Sequence, residues 1–175
     1  RRSPTQPEWA GWARVATAFR RQDAIDNRHR CYAGHLGLSI DSQLAAGIRA
    51  SDLLIVFGQC LGDISTQGFK MLSPQNPAQK LVHIAADAGS PACPFKPALA
   101  IAASPIETAV QLSEMATPGK RPPWPIWRRD LRSAYEATLK FKAPSEPGTL
   151  RLDAVIAVLS RELPENAIIT NGAGK

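Results

Sequence analysis

The chain alternates short, strongly apolar runs with segments in which apolar residues recur at helical spacing. The strand candidates are Val15–Phe19, Asp52–Gly58, Lys80–Ala85, Leu99–Ala102 and Ala167–Thr170. The helix candidates are Ser42–Arg49, Pro105–Met115, Ile126–Lys140 and Leu152–Leu159. Strands that alternate with helices along a chain predict an α/β fold with a doubly wound parallel sheet.

Several local signals refine this pattern. The unbroken apolar run from Asp52 to Gly58 is typical of a strand buried on both faces of a parallel sheet. The glycines of Cys31–Gly37 suit a tight turn. Each of the first two helices has a polar residue placed to cap it, namely Asp41 or Ser42 and then Ser104. For the second of these helices, the expected inward-facing side chains are Ile106, Ala109, Val110 and Leu112.

Proline positions suggest how the chain is divided. Its 175 residues allow one domain, or one domain with part of another. The 15 prolines concentrate in loops, with Pro-rich stretches at 118–125 and 144–147 that are typical of linkers. We therefore expect a central α/β domain over 1–116, a linker with one helix over 117–150, and the opening helix and strand of a second α/β domain over 151–175. Both ends of the chain look interrupted.

Charge and hydropathy exclude some partners. The net charge of +6 is dispersed over several short clusters, which is a poor footprint for nucleic acid. Trp124 and Trp127 lie among arginines, and we favour a clamped linker followed by a solvated basic helix face over a nucleic-acid contact. No apolar stretch reaches the roughly 20 residues of a membrane span. We expect a cytoplasmic protein with neither a nucleic-acid nor a membrane partner.

Polar residues with reactive or metal-binding side chains do not form a recognisable active site. His29, Cys31 and His35 match no common zinc spacing, so we expect two polar loop histidines and a packed cysteine. His83 is expected to be a core or edge histidine with a backbone partner. The three cysteines include no C-x-x-C pair, which favours reduced, mostly buried thiols. The sequence predicts no catalytic residue and no metal ligand in this chain.

Residues that follow the strand candidates are the better ligand candidates. Gly58 ends the strongest strand and Asp87 follows the next one, so both could line a nucleotide crevice, with Asp87 accepting from a ribose hydroxyl. A turn-forming role for Asp87 remains the alternative. The turn Asn171–Gly174 follows the last strand candidate. Its sequence is compatible with a ligand-binding loop and equally with a strand-to-helix turn that binds no ligand. A phosphate loop does not, because Ile169 stands where that motif needs glycine.

The order and spacing of several segments resemble a known family. These segments are Phe19–Asp23, Asp26–His29, Tyr32–Gly37, Ser51–Gly58 and Leu81–Ile84. Together they are similar to the central domain of the acetolactate synthase-like group of thiamine diphosphate enzymes, whose fold is Rossmann-like, of the DHS-like NAD/FAD-binding type. The stretch Leu152–Gly174 resembles the opening helix and strand of that group's cofactor-binding domain.

The resemblance implies cofactors rather than catalytic residues here. Thiamine diphosphate and Mg²⁺ would serve the full-length enzyme, with Asn171, Gly172 and Gly174 near the diphosphate. The activating glutamate and the metal-diphosphate motif would belong to other domains. FAD is left open: Cys60 stands where flavin-binding members have arginine, which argues against it, whereas Asp87 matches the family's acidic position.

Two functional hypotheses follow. The first is a fragment of a thiamine diphosphate- and Mg²⁺-dependent carboligase or 2-oxoacid decarboxylase, that is, of a transferase or lyase. The fragment would be catalytically incomplete alone. The full-length enzyme would take a small 2-oxoacid as substrate and assemble as a homodimer or homotetramer. The second is a stand-alone nucleotide-binding or assembly module without catalysis. An interrupted sheet should also expose apolar edges, so we expect marginal stability or self-association.

Overall fold

The computed structural model describes residues 13–58, 61–88, 93–115, 125–140 and 151–170. The chain forms two compact units, Arg1–Glu136 and Ala137–Lys175. The strands of the described residues all lie in the first unit, and the last helix lies in the second. No helix in the described ranges is long and apolar enough to cross a lipid bilayer.

Five parallel strands form two sheets in the first unit. They are β1 (Val15–Ala18), β2 (Tyr32–Leu36), β3 (Leu53–Phe57), β4 (Lys80–Ala85) and β5 (Leu99–Ala102). The strands β1 and β2 pair with each other, and the larger sheet has the order β3-β4-β5. In that sheet Ile55 lies opposite Val82, and Ile84 lies opposite Ile101. Parallel strands together with α-helices along the chain confirm the predicted α/β class.

Four helices complete the described structure, close to the predicted ranges. They are α1 (Ser42–Arg49), α2 (Pro105–Glu114), α3 (Pro125–Thr138) and α4 (Leu152–Glu162). The Asp41 carboxylate caps α1 by accepting from the amides of Gln43 and Leu44, at 2.9 and 3.0 Å. Ser104 caps α2, and Pro105 occupies its first turn, where a missing N–H costs nothing.

The segment predicted as a tight turn is instead the buried strand β2. Four of its five residues are buried, and Tyr32 is only 1% exposed. Gly34 lies inside this strand with a φ of +122°, close to Leu44 and Tyr135. The glycine therefore marks a point where a helix side chain approaches the strand, and this use of glycine produces the same sequence signal as a turn.

The prediction that β3 is buried on both faces is wrong. Leu54 and Val56 pack against the cluster of Leu72, Leu81 and Phe95. Leu53 and Ile55, on the opposite face, are 46% and 45% exposed. Among the described residues the apolar run of β3 is therefore covered on one face only, and β3 is also the edge strand of its sheet.

The predicted inward face of α2 is also wrong in part. Ile106 is 71% exposed and Val110 is 43% exposed, whereas Ala109 and Leu112 are half-buried. The α2 helix has few contacts with β4 and contributes no buried residue. Helical spacing alone marks an apolar stripe, but it does not ensure that another element covers it.

The strand predicted over Ala167–Thr170 is not a strand in the structure. The amide of Ala167 donates to the carbonyl of Pro164 at 3.0 Å, which makes a turn, and Ile168 is 92% exposed. No described residue pairs with this segment as a ladder. An apolar β-prone run needs a neighbouring strand to become part of a sheet.

Two apolar clusters stabilise the first unit. One joins β2, α1 and α3 through Ala33, Leu44, Ala45 and Leu131, and the other lies beside β3 and β4. Ile48 of α1 packs against both clusters. This shared helix is what connects the cores of the two sheets.

Candidate functional site at the carboxyl edge of the sheet

The larger sheet brings the predicted crevice residues to one edge. Since β3, β4 and β5 are parallel, the segments that follow their carboxyl ends leave the sheet on the same side. Gly58 follows β3, Asp87 lies two residues after β4, and Ser104 lies two residues after β5. Ligands of open α/β sheets bind outside this edge, so the role predicted for Gly58 and Asp87 in lining a nucleotide crevice is compatible with their position and stays a prediction.

Gly58 combines an unusual backbone conformation with free space. Its φ is +95°, which a side chain would strain, and a Cβ built there would meet no atom within 4 Å. Its amide donates to the carbonyl of Ile84 at 2.8 Å, which keeps the residue beside the end of β4. The positive φ therefore favours glycine at this turn, and the half-buried residue leaves open space where a side chain would stand.

His83 binds the carbonyl of the same residue, Gly58. It lies in β4, is only 2% exposed, and its Nε2 is 2.8 Å from the carbonyl oxygen of Gly58. A carbonyl can only accept, so Nε2 carries the proton and Nδ1 is left as an acceptor. Within the described residues, Nδ1 has no hydrogen-bond partner.

The sequence prediction of a backbone partner for His83 is confirmed. Sequence reasoning missed which carbonyl it binds. The available signal was a histidine among apolar residues of one strand candidate, where the preceding strand candidate ends in glycine.

Asp87 is exposed, in a turn closed by the amide of Ala88 and the carbonyl of Ala85 at 3.1 Å. Its carboxylate is accessible from solvent at the crevice edge. The turn role and the ligand role predicted for this residue are therefore both compatible with its position.

The sequence that follows these strands is poor in positive charge. The segments 58–64, 86–92 and 103–107 contain Asp63, Asp87 and Glu107 but neither lysine nor arginine. A dinucleotide diphosphate is usually bound by cations or by helix amides. The amide of Glu107, in the first turn of α2, already donates to Ser104 Oγ at 3.4 Å. The residues present therefore do not fit the diphosphate of FAD well.

Three predicted cofactor residues cannot be compared with the structure. Asn171, Gly172 and Gly174, expected near thiamine diphosphate, lie outside the described residues, as does Cys60. Among the residues that the structure describes, no group of three or more His, Cys, Asp or Glu side chains could bind a metal ion. Nothing in the described ranges thus tests a Mg²⁺ or thiamine diphosphate site.

The His29 region is structural. His29 Nδ1 accepts from the amide of Cys31 at 3.3 Å, and Cys31 is a free thiol that is 2% exposed. Burial lowers the pKa of His29 below its ordinary value, and the neighbouring Arg30 and Arg132 lower it further. A neutral histidine that accepts from the backbone completes a turn, in line with the loop role predicted for His29. The loop role predicted for His35 is wrong, because His35 is an exposed residue of β2.

Arg132 corrects the expectation that α3 presents only a solvated basic face. Its Nη1 donates to the carbonyl oxygens of three residues around the turn before β2. These acceptors are Asn27 at 2.9 Å, His29 at 2.9 Å and Tyr32 at 3.2 Å. Its Nε pairs with Glu136 at 2.7 Å, and the side chain is 16% exposed. Arg132 therefore fastens α3 to the turn that precedes β2.

A tyrosine pair supports the same contact. The rings of Tyr32 and Tyr135 meet edge to face, with centroids 4.9 Å apart, and the Tyr32 hydroxyl lies 3.2 Å from Thr17 Oγ1. Burial raises the pKa of Tyr135 above its usual range. The buried Tyr32 ring and the half-buried Tyr135 ring thus help to hold α3 against β2.

The expectation of reduced thiols is wrong for one cysteine. Cys93 is disulfide-bonded and half-buried, whereas Cys31 is free and buried as predicted. The predicted state depended on spacing alone, and two cysteines far apart in sequence can still meet in the fold.

The second unit offers an apolar concavity and no reactive side chain around it. The concavity has a volume of about 240 Å³ and is lined by Ala154, Val155, Val158 and Leu159 on one face of α4. Without polar lining groups it has no means of orienting a ligand, so it does not compete with the sheet edge as a candidate site.

Comparison with known families agrees with the architecture. The family model described as the thiamine pyrophosphate enzyme, central domain, matches residues 12–112. This range includes the five described strands, helix α1 and most of helix α2. No curated protein matches the chain. Since the match covers more than half of the 175 residues, the chain belongs to the thiamine pyrophosphate enzyme central-domain family.

Proposed function

We propose that this chain is part of a thiamine diphosphate- and Mg²⁺-dependent carboligase or 2-oxoacid decarboxylase of the acetolactate synthase-like group. The observation that carries the proposal is the central-domain match over residues 12–112. The order of motifs from Phe19 to Ile84 supports the acetolactate synthase-like assignment. A cytoplasmic location, a small 2-oxoacid substrate and a homo-oligomeric assembly belong to the same proposal.

Within such an enzyme the central domain would act as a scaffold. Thiamine diphosphate supplies the electron sink for 2-oxoacid chemistry. The described residues hold this edge of the sheet in place, because the Gly58 amide donates to the Ile84 carbonyl and the Gly58 carbonyl accepts from the His83 side chain. We propose that residues 1–116 form this domain, 117–150 a linker, and 151–175 the start of the cofactor-binding domain, with Asn171, Gly172 and Gly174 near the diphosphate. The chain alone is then catalytically incomplete.

The first test is the mass of the protein from its native source, read together with the flanking coding sequence. A mass roughly three times that of 175 residues is expected, since three domains of ordinary size would be joined. Purified full-length protein should then consume a 2-oxoacid only when thiamine diphosphate and Mg²⁺ are added. A native mass that matches 175 residues, without oxoacid turnover, would reject the proposal.

A second candidate function is nucleotide binding without catalysis. The observation that favours it is the open space beside Gly58 together with the exposed carboxylate of Asp87 at the same sheet edge. The lack of lysine and arginine in the flanking segments weighs against it, and equally against FAD.

Titration calorimetry with ADP and with FAD separates the two candidates. If the crevice binds a ribose, Asp87→Asn should weaken ADP binding by about tenfold, the value of one charged hydrogen bond. Asp23→Asn is the matched control, because Asp23 is exposed and lies in the loop before β2. Failure of both nucleotides to bind at millimolar concentration would leave the scaffold role as the function of this sheet.

A further inference from the structure

The smaller sheet also has a carboxyl edge, and its charge differs from that of the larger sheet. Since β1 and β2 are parallel neighbours, the residues that follow them leave the sheet side by side. The segments 18–22 and 35–39 at this edge contain Arg20, Arg21 and His35 and no carboxylate. Cationic side chains are therefore available here, in contrast to the segments that follow β3, β4 and β5.

Phe19, Arg20 and His35 lie close together at this edge. The guanidinium carbon of Arg20 is 5.1 Å from the centre of the Phe19 ring. A Cβ built on Gly37 would lie 2.9 Å from His35 Cδ2 and 3.5 Å from Phe19 Cδ2. Both rings therefore lie against the backbone of Gly37, and the Phe19 ring has a guanidinium and an imidazole as neighbours.

The polar groups of this edge are open to solvent. Arg20 and His35 are exposed, and the side chain of Arg21 is 70% exposed. Among the residues that the structure describes, no carboxylate pairs with Arg20 or His35, and Arg21 approaches Asp23 only to 3.8 Å. The carboxylate of Asp41, which follows this edge in the sequence, already accepts from two amides of α1. An anion that approaches the edge thus meets positive charge without a firmly bound counterion.

An apolar side chain stands beside these groups. Leu38, the second residue after β2, is 78% exposed, and Phe19 is half-buried. Contact with an apolar group would remove both surfaces from water, which is favourable. The edge therefore offers apolar surface and positive charge side by side.

The backbone of Arg20 adds a further observation. Its φ is +61°, a conformation that costs free energy for a residue with a side chain. The same conformation accompanies the placement of its guanidinium beside the Phe19 ring. The chain thus accepts a local cost at the residue that carries the charge nearest to the aromatic ring.

We propose that the carboxyl edge of the smaller sheet binds a small phosphate monoester whose organic part is apolar. The planar guanidinium of Arg20 donates to two phosphate oxygens, and the His35 imidazole donates a further hydrogen bond. Phe19 and Leu38 cover the organic part. A phosphate monoester carries nearly two negative charges and three acceptor oxygens, so it matches Arg20 and Arg21 together better than a carboxylate does.

Proton NMR of the full 175-residue chain tests this site, with phenyl phosphate as the probe. The sequence contains three histidines, His29, His35 and His83, and a His35→Gln spectrum identifies the ring signals of His35. Phenyl phosphate should shift those signals and saturate at roughly millimolar concentration. The ring signals of His83, which is 2% exposed, should stay in place.

Two smaller compounds show whether both halves of the probe are recognised. Inorganic phosphate lacks the ring and phenol lacks the charge, so each should bind at least about tenfold more weakly than phenyl phosphate. Failure of phenyl phosphate to saturate the His35 signals up to about 20 mM overturns the proposal. Equal affinity for inorganic phosphate and phenyl phosphate overturns it as well, because the apolar part would then contribute nothing.

Three variants at exposed positions locate the site. Arg20→Gln should weaken phenyl phosphate binding by about tenfold, the effect of one lost charged hydrogen bond. Leu38→Ser should weaken phenyl phosphate binding but leave inorganic phosphate unchanged, because it removes apolar contact only. Arg49→Gln is the matched control, an exposed arginine in the last turn of α1.

The control distinguishes a site from general attraction to a basic protein. An equal loss in Arg49→Gln and Arg20→Gln, or unchanged phenyl phosphate binding in Leu38→Ser, overturns the proposal. All three side chains are exposed, so each variant should keep the wild-type melting temperature. The experiment needs neither thiamine diphosphate nor a 2-oxoacid, so its outcome is independent of the proposed function.

Discussion

At the scale of single residues, the backbone of Gly58 shows how the end of a strand is held in place. Its amide binds the Ile84 carbonyl and its carbonyl accepts from His83. The sequence could suggest glycine at a strand end, because an apolar run that stops at glycine is a strong pattern. It could not identify the histidine as the donor, since that contact joins two strands whose pairing is decided by tertiary structure.

Substitution of Gly58 should separate backbone strain from lack of space. Gly58→Ala is expected to destabilise the protein by about 1 kcal/mol. The methyl group of alanine would meet no atom within 4 Å, but a positive φ is strained for any residue with a side chain. Gly62→Ala is the matched control, since that site is equally open but has no positive φ. Urea unfolding should show the control unchanged or slightly more stable. Equal losses in both variants would contradict the strain argument.

Removal of the His83 side chain should loosen the exit of β3 at Gly58. His83→Ala leaves the half-buried Gly58 carbonyl without its donor and creates a cavity at the buried histidine, so we expect a loss of about 2–3 kcal/mol in unfolding free energy. His83→Gln, which keeps an N–H donor, should recover part of that loss. His35→Ala, at an exposed position of β2, should change stability by less than about 0.5 kcal/mol. A loss at His35 as large as at His83 would reject this role.

Titration of His29 gives stability a specific pH dependence. Its pKa is lowered in the folded protein, so the unfolded chain binds the proton more readily. This contribution to stability is complete above the ordinary value of 6.5 and is lost as pH falls through the lower folded value. Burial, Arg30 and Arg132 lower the pKa, whereas Asp26 opposes them.

His29→Asn isolates this effect, because its amide oxygen can still accept from the Cys31 amide but does not titrate. Wild-type unfolding free energy should fall more than that of the variant between pH 7.5 and pH 5. The measurement is urea unfolding at several pH values. Parallel curves for the two proteins would assign the acid loss to other groups.

At the scale of elements, α3 is fastened by a side chain that looked like one member of a basic surface. Arg129 and Arg132 look equivalent in the sequence, and only tertiary structure reveals that Arg132 donates to backbone carbonyls. The strand β2 was missed for a related reason, since glycine in a strand and glycine in a turn give the same pattern. The helices α1 and α2 were predicted closely, because their caps are local signals.

Replacement of Arg132 should release α3 from the turn before β2. Arg132→Ala leaves three carbonyls without their donor and removes the Glu136 ion pair, so we expect a loss of about 2–3 kcal/mol. Arg132→Lys should recover little, because an ammonium cannot reproduce the planar fork. Arg129→Ala, whose side chain is 75% exposed, is the control and should be nearly neutral. Unfolding monitored by tryptophan fluorescence gives all three values.

At the scale of the whole molecule, the sequence predicted the parallel α/β class because strand and helix periods alternate clearly. It overestimated how much of the apolar surface is buried. An apolar face favours burial, but the sequence does not show whether another element packs against that face. Leu53 and Ile55 of β3, and Leu99 of β5, are all 45% exposed or more. Of the candidate site, Gly58 and Asp87 follow neighbouring parallel strands as the topology requires, but their binding role stays a prediction, and the glycine turn at 171–174 lies outside the described residues.

These exposed side chains lead to a prediction about association. Apolar residues on the uncovered face of an edge strand favour contact with another surface, so the isolated chain should self-associate as concentration rises. Ile55→Lys places a charge on that face and should shift the sample toward monomer. Leu38→Lys is the control, because Leu38 is 78% exposed but lies in the loop after β2. Sedimentation velocity over a tenfold concentration range distinguishes the two variants. A wild-type chain that stays monomeric throughout would show that exposure on this face does not drive association, and that the sheet edge tolerates solvent in this protein.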